Sequence, residues 1–212
     1  MDKPWLKHYP AGVPAEVRTD SYPSLVALMD ESFARHAAKP AYRFMGRAFT
    51  FAQVEAWSRA FAAWLQAQPL ERGDRVAVMM LNVPQYPVAV AAILRAGFVV
   101  VNVNPLYTPR ELEHQLKDSG AKAIVVLEPF AATLEQVLPQ VPTRTVVVAS
   151  MGDLLGFPKG LVVNHVVRKL RKLVPPYRLP GATRFKDALA AGARLTLRPA
   201  ATGPDDIAVL QY

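Results

Sequence analysis

The side chains that could perform acid–base or nucleophilic chemistry are few in this sequence. It contains four histidines, His8, His36, His114 and His165, and no cysteine. Each histidine falls on a polar helix face or near the amino terminus, where we expect it to be solvated. The absence of cysteine excludes disulfides, thiolate metal ligands and cysteine nucleophiles. No Gly-rich phosphate loop, Gly-x-Ser-x-Gly elbow or zinc-spaced His-Glu pair is present, so we expect no catalytic residue and no metal site.

Two carboxylates, Glu111 and Glu113, stand close together at the start of a predicted helix. Residues two apart on a helix do not face each other, which argues against an acid–base pair. Thr108, Pro109 and Glu111 instead have the spacing of a capping box with proline at the first helical position. The alternative, a ligand-binding corner at this turn after a sheet strand, stays open.

The positive charge is concentrated in one segment of the chain. The net charge is +8, and residues 151–198 hold ten Lys and Arg against two acids, whereas the remainder is balanced at fifteen of each. A basic segment on a neutral body indicates one local anionic partner, and no aromatic platform or groove-reading helix accompanies it, so nucleic acid is not expected.

Within the basic segment, residues 161–174 predict an amphipathic helix. Its valines and leucines at 162, 163, 166, 167, 170 and 173 are expected on one side, and His165 with the nearby Lys and Arg on the other. Two interpretations stay open. Either the cations contact anionic lipid headgroups or an anionic ligand, or the apolar side covers a groove and the cations are only solvated. The cationic side chains concerned are Arg168, Lys169, Arg171 and Lys172.

The elements that would position these residues divide into two parts. A helix is predicted over 22–38, a hairpin around Met45 and Gly46, and a second helix capped by Thr50 with Gln53. From residue 74, buried strand-like runs alternate with helices. These strands are predicted at 75–81, 98–103, 123–127 and 145–149, the helices at 84–96, from 108 and at 129–137.

This alternation predicts an α/β fold, a doubly wound, mainly parallel sheet flanked by helices. Ligands of such sheets bind at the carboxyl ends of strands, which places the loops after Leu81, Val103 and Leu127 near any site. Residues 151–179 interrupt the pattern and are interpreted as a basic insertion at about 151–180. A helix near 184–191 and a strand from 207 follow, and we expect truncation because the sequence stops within that strand at Tyr212.

A long stretch, 95–112, together with 73–77 and 205–212, resembles bacterial long-chain fatty acyl-CoA ligases. The resemblance covers nearly the whole chain and implies the adenylate-forming superfamily. In that superfamily a fatty acid and ATP give an acyl-adenylate and pyrophosphate with the help of magnesium, and CoA then displaces AMP. Residues 1–212 would be the amino-terminal part of an AMP-binding domain.

The resemblance also implies which parts of the ligase this chain would lack. Tyr212 corresponds to the first residue of the loop that binds ATP phosphates, and it is the only cofactor-binding residue carried over. We therefore expect the chain to be inactive and to bind none of ATP, magnesium and CoA tightly, although the whole enzyme would use all three with a fatty acid. A cytoplasmic location is expected, with peripheral binding to the inner face of the membrane as the alternative, and the exposed sheet edge could pair two copies as a homodimer.

Overall fold

The sheet of this protein is wound in both directions from its first strand. The computed structural model describes residues 2–18 and 20–212. Six parallel strands lie in the order β7-β6-β5-β3-β4-β8, beside a separate two-stranded hairpin, β1-β2. The chain passes from β3 to β4 on one side and then through β5, β6 and β7 on the other, which confirms the doubly wound α/β fold. The strands are β1 Pro40–Phe44, β2 Arg47–Thr50, β3 Arg75–Met79, β4 Val99–Asn102, β5 Ala123–Leu127, β6 Thr145–Ala149, β7 Thr183–Arg184 and β8 Val209–Gln211.

Seven α-helices are described, and the two predicted capping boxes begin two of them. Thr50 accepts a hydrogen bond from the Gln53 amide at the start of α2, and Thr108 accepts one from the Glu111 amide at the start of α4. The helices are α1 Leu25–Arg35, α2 Phe51–Gln66, α3 Gln85–Arg95, α4 Pro109–Ser119, α5 Ala131–Val137, α6 Lys159–His165 and α7 Phe185–Gly192. Helix α1 is shorter than predicted at both ends: it begins at Leu25 because Ser24 caps it, and it ends at Arg35 with His36 as its C-cap.

The two faces of the sheet support different cores. Val76 and Val78 of β3 pack with residues of α1, α2, α3 and α7, whereas Ala77 and Met79 pack with residues of α4 and α5. Successive side chains of a strand point to opposite faces, so a strand covered on both faces is apolar at nearly every position. This is why the buried strands were recognisable as continuous apolar runs.

The predicted helix at 161–174 differs from the observed one. Helix α6 begins at Lys159, and from Val166 the chain forms a π-helical turn, Val166–Leu170, in which the Arg171 amide donates to the Val166 carbonyl over 2.8 Å. Val167 is buried but Leu170 is exposed, so the prediction that the six apolar residues share one side is wrong. A π turn holds more residues per turn than an α turn, which shifts later side chains around the axis.

The segment between β6 and β7 connects two neighbouring parallel strands. Val147 of β6 pairs with Thr183 of β7, so the residues between them, including α6, form the crossover connection of a β-α-β unit. Among the described helices, none is both long and apolar enough to cross a membrane.

Candidate functional site at the carboxyl edge of the sheet

A cavity of about 440 Å³ lies where β3, β4 and β8 end. Parallel strands bring their carboxyl ends to one edge, and the loops after β3 and β4 meet there with the end of β8, as the sequence predicted for the first two. Its polar lining consists of neutral amides and phenols: Asn82, Tyr86, Asn102, Asn104, Tyr107, Gln211 and Tyr212.

Three of the lining residues are joined by side-chain hydrogen bonds. The Tyr86 hydroxyl donates to Asn102 Oδ1 over 2.8 Å, and Asn102 Nδ2 donates to Gln211 Oε1 over 2.8 Å. Gln115 Nε2 also donates to the backbone carbonyl of Asn102, over 2.7 Å. Helices α3 and α4 and the edge strand β8 are thereby joined through one residue of β4.

Tyr212, the residue predicted to begin a phosphate-binding motif, lines the same cavity. Its hydroxyl donates to Asp118 Oδ2 of α4 over 2.6 Å, and this hydrogen bond to a carboxylate raises the pKa of Tyr212. The side chain is half exposed, so it is held at the rim of the cavity. Its part in phosphate binding stays a prediction.

The lining does not fit a triphosphate. Transfer of an adenylyl group needs backbone donors, cations or a metal ion where negative charge develops, and no Lys or Arg lines this cavity. Among residues 2–18 and 20–212, no group of three or more His, Asp or Glu side chains could hold a metal ion. Asn, Gln and Tyr can donate and accept hydrogen bonds, so the cavity suits a neutral polar group.

A second polar cluster follows β5 and β6 at the same edge. Glu128, directly after β5, is almost fully buried, and Arg168 Nε lies 2.9 Å from each of its carboxylate oxygens. Arg168 also donates to the Ser150 hydroxyl over 2.9 Å, and the Tyr177 hydroxyl donates to Glu128 over 3.2 Å. Burial, together with the Glu128 charge, raises the pKa of Tyr177 to about 12. Sequence reasoning missed Glu128, whose only signal was an acid immediately after a buried strand.

The structure separates the four predicted cationic contacts. Arg168 keeps 43% of its side chain exposed but pairs with the buried Glu128, whereas Lys169, Arg171 and Lys172 are exposed without such a partner. Within the described part of the chain, no acidic side chain lies within 4.0 Å of these three cations. These three cations are free to meet an anionic surface, whereas the charge of Arg168 is already paired with Glu128.

The remaining candidates from the sequence are two glutamates and four histidines. Backbone and side-chain hydrogen bonds from Thr108 lower the pKa of Glu111, as a capping role requires, and Glu113 pairs with Lys117. His8, His114 and His165 are exposed, and His36 ends α1 with its ring centroid 5.7 Å from that of Phe51. The capping interpretation of Glu111 is therefore confirmed, and the two glutamates form no pair.

Comparison with known proteins decides the family. The family model described as AMP-binding enzyme matches residues 29–212. The chain belongs to this family. Its sequence is 53% identical over 213 residues to a long-chain-fatty-acid–CoA ligase of Escherichia coli O6:H1, covering 100% of this chain and 38% of that protein. It is 32% identical to the Bacillus subtilis protein of that name, covering 99% of this chain and 37% of the other.

Solved structures of CoA ligases share the fold. An anthranilate CoA ligase in complex with anthranoyl-AMP superposes with a TM-score of 0.73 at 19% identity, over 92% of this chain and 34% of the other. A long-chain-fatty-acid-CoA ligase of Archaeoglobus fulgidus superposes with a TM-score of 0.67 at 19% identity, over 96% and 36%. The chain thus spans slightly more than a third of the length of these CoA ligases.

Proposed function

We propose that this chain is the amino-terminal part of a long-chain fatty acid–CoA ligase. In the reaction the fatty acid carboxylate attacks the α-phosphorus of ATP and pyrophosphate leaves, after which the CoA thiol attacks the acyl carbon and AMP leaves. The observation that carries the proposal is identity of 53%, over the whole chain, to a protein of that name. ATP, magnesium, CoA and a fatty acid are accordingly the cofactors and substrates of the whole enzyme.

The isolated chain is proposed to be inactive. Its cavity at the carboxyl edge is lined by neutral side chains. The resemblance in sequence carries over Tyr212 alone as part of the phosphate-binding motif. An adenylyl transfer without cations near the phosphates lacks the electrostatic stabilisation that such a reaction needs. A longer chain of the relatives' length would supply these groups from residues after Tyr212, as the remainder of the AMP-binding domain.

The test is pyrophosphate release with ATP, magnesium, CoA and a long-chain fatty acid. We expect release by a chain extended to the length of its relatives and none by residues 1–212, at matched protein concentration. A medium-chain and an aromatic acid serve as comparison substrates. Activity in the short chain would show that the groups needed for ATP binding lie within residues 1–212. Activity in neither chain would reject the ligase proposal for this sequence.

A second function, binding to an anionic membrane surface, rests on the basic segment. Residues 154–186 contain eight Lys and Arg and no acid. Anionic lipids attract such a segment, and the attraction weakens as salt screens it. This function is compatible with the first, because a peripheral ligase on the cytoplasmic face would meet its fatty acid there. The test is sedimentation with vesicles containing phosphatidylglycerol, and absence of binding at low salt would reject it.

Self-association is a further proposal about partners. Strand β8 forms one edge of the sheet, with Val209 and Gln211 exposed, and its unpaired backbone groups could pair with β8 of a second copy. Sedimentation velocity of the short and the extended chain tests this. A dimer that is present only in the short chain would show that the pairing depends on the exposed edge.

A further inference from the structure

The outer face of segment 157–173 is apolar as well as basic. We define this face by five exposed apolar side chains, Phe157, Leu161, Val162, Leu170 and Leu173, and three exposed cations, Lys169, Arg171 and Lys172. The apolar side chains are between 55% and 87% exposed. Several large apolar side chains exposed within one short segment commonly mark an interaction site.

The segment is held to the body of the protein by its opposite face. Gly160, Val163 and Val167, spaced three and four residues apart, turn inward, so Leu161 and Val162 face outward. Gly160 and Gly152 are in backbone contact, because a Cβ built on Gly160 would lie 2.5 Å from the Gly152 carbonyl oxygen. The amide of Gly152 also donates to Asn164 Oδ1 over 2.7 Å.

Arg168 adds an anchor in the middle of the segment. Its ion pair with the buried Glu128 ties the π-helical turn to the end of β5. The segment therefore cannot rotate to hide its apolar side chains without separating two glycine backbones and breaking this ion pair. The outer face is fixed in an outward orientation.

We infer that this outer face inserts its apolar side chains into the headgroup region of an anionic lipid surface, with Lys169, Arg171 and Lys172 contacting the headgroups and Arg168 acting as the anchor. This inference rests on the proposed membrane binding and changes its mode from contact by cations alone to insertion. Lipid is the occupant because the flanking charge is exclusively positive from residue 154 to 186. A purely apolar protein partner would not need that charge, whereas amphipathic helices on membranes combine both features.

Insertion predicts a component of binding that salt does not remove. Ionic strength screens the attraction between exposed charges, but transfer of leucine out of water does not depend on it in this way. Each inserted leucine should strengthen partitioning by about tenfold or more. Replacement of the three cations by glutamate should weaken binding at low salt and have much less effect at high salt.

The experiment measures partitioning onto vesicles of phosphatidylglycerol and phosphatidylcholine at low and high sodium chloride. The variants are Leu161→Asn with Leu170→Asn, and Lys169→Glu with Arg171→Glu and Lys172→Glu. Ile207→Asn, an exposed apolar position outside this face, is the matched control. We expect the leucine variant to bind at least about tenfold more weakly at both salt concentrations, the charge variant to bind more weakly at low salt, and the control to bind as the parent does.

The outcomes separate the inference from the function on which it rests. Binding by the parent that is unaffected by the leucine variant and lost at high salt would overturn insertion and leave membrane binding in place. No binding by the parent would overturn both. Two further results would overturn the inference in favour of another occupant: a dimer that the leucine variant dissociates, or binding that disappears in a chain extended to the relatives' length.

Discussion

Arg168 Nε lies 2.9 Å from both carboxylate oxygens of Glu128, and this contact joins the π-helical turn to the end of β5. Glu128 is almost fully buried and Arg168 is partly exposed. The two residues are therefore unequal partners. Loss of the cation leaves a buried carboxylate without its counter-ion, whereas loss of the carboxylate leaves a guanidinium that water can reach.

Arg168→Met should destabilise the protein more than Glu128→Gln does. We expect about 2 kcal/mol for the arginine variant and about 1 kcal/mol for the glutamate variant, lower than for a fully buried pair because Arg168 is partly solvated. Urea unfolding monitored by circular dichroism measures both. The double variant should cost less than the sum of the single variants, and additive losses would show that the two side chains do not depend on each other.

Gly160→Ala should destabilise the protein although alanine favours helices. The added methyl group would lie 2.5 Å from the carbonyl oxygen of Gly152, and neither backbone can move without separating α6 from the loop after β6. The expected loss is about 2 kcal/mol after the gain in helix propensity of about 1 kcal/mol is included.

Gly203→Ala is the matched control for this substitution. A Cβ built on Gly203 meets no atom within 4 Å, so we expect a change within about 0.5 kcal/mol. Thermal or urea unfolding compares the two variants. A Gly160→Ala protein as stable as the control would mean that α6 does not touch this loop in solution.

Asn102→Leu should loosen the edge strand β8. The substitution removes the hydrogen bonds that the Asn102 side chain makes with Tyr86 and Gln211, each over 2.8 Å. We expect amide hydrogen exchange across 207–212 to become about 5- to 30-fold faster, the equivalent of one or two hydrogen bonds. Peptides covering β5 serve as the internal reference.

Asn82→Ala tests whether faster exchange comes from loss of the Asn102 hydrogen bonds or from any change in the lining of the cavity. Asn82 is exposed and lines the same cavity. Exchange across β8 should therefore stay at the parental rate. Equal acceleration by both variants would contradict the role assigned to Asn102.

Asp153→Asn should make the protein progressively more stable than its parent as the pH rises. Burial raises the pKa of Asp153, although a hydrogen bond from the Ser150 amide opposes this, so the folded protein holds the proton more tightly than the unfolded chain does. The stability that this proton contributes is present below the unfolded value near 3.8 and is lost as the pH rises through the folded pKa. Asparagine does not titrate, and its amide oxygen can still accept from Ser150.

Urea unfolding at a series of pH values from acid to neutral measures this difference. Asp205→Asn, at an exposed position, is the matched control. The stability gained by Asp153→Asn should increase across the series more than that gained by the control. A difference that is constant with pH would show that Asp153 is not buried in solution.

The sequence by itself determined the elements whose signals are local. Strands Ala123–Leu127 and Thr145–Ala149 were predicted with their observed bounds, because a strand buried on both faces is a continuous apolar run. The caps at Thr50 and Thr108 were likewise predicted, since a capping box is complete within four residues. The alternation of these elements was sufficient for the doubly wound fold.

The tertiary structure alone decided what depends on distant residues. The two-residue strand β7 has no pattern of its own and exists only by pairing with β6. Arg168 had the same appearance in the sequence as Lys169, but Glu128, forty positions earlier, pairs with its charge. Leu170 was misplaced for a related reason. Helical periodicity predicts a face only while the number of residues per turn stays constant, and the π-helical turn at Val166–Leu170 changes that number.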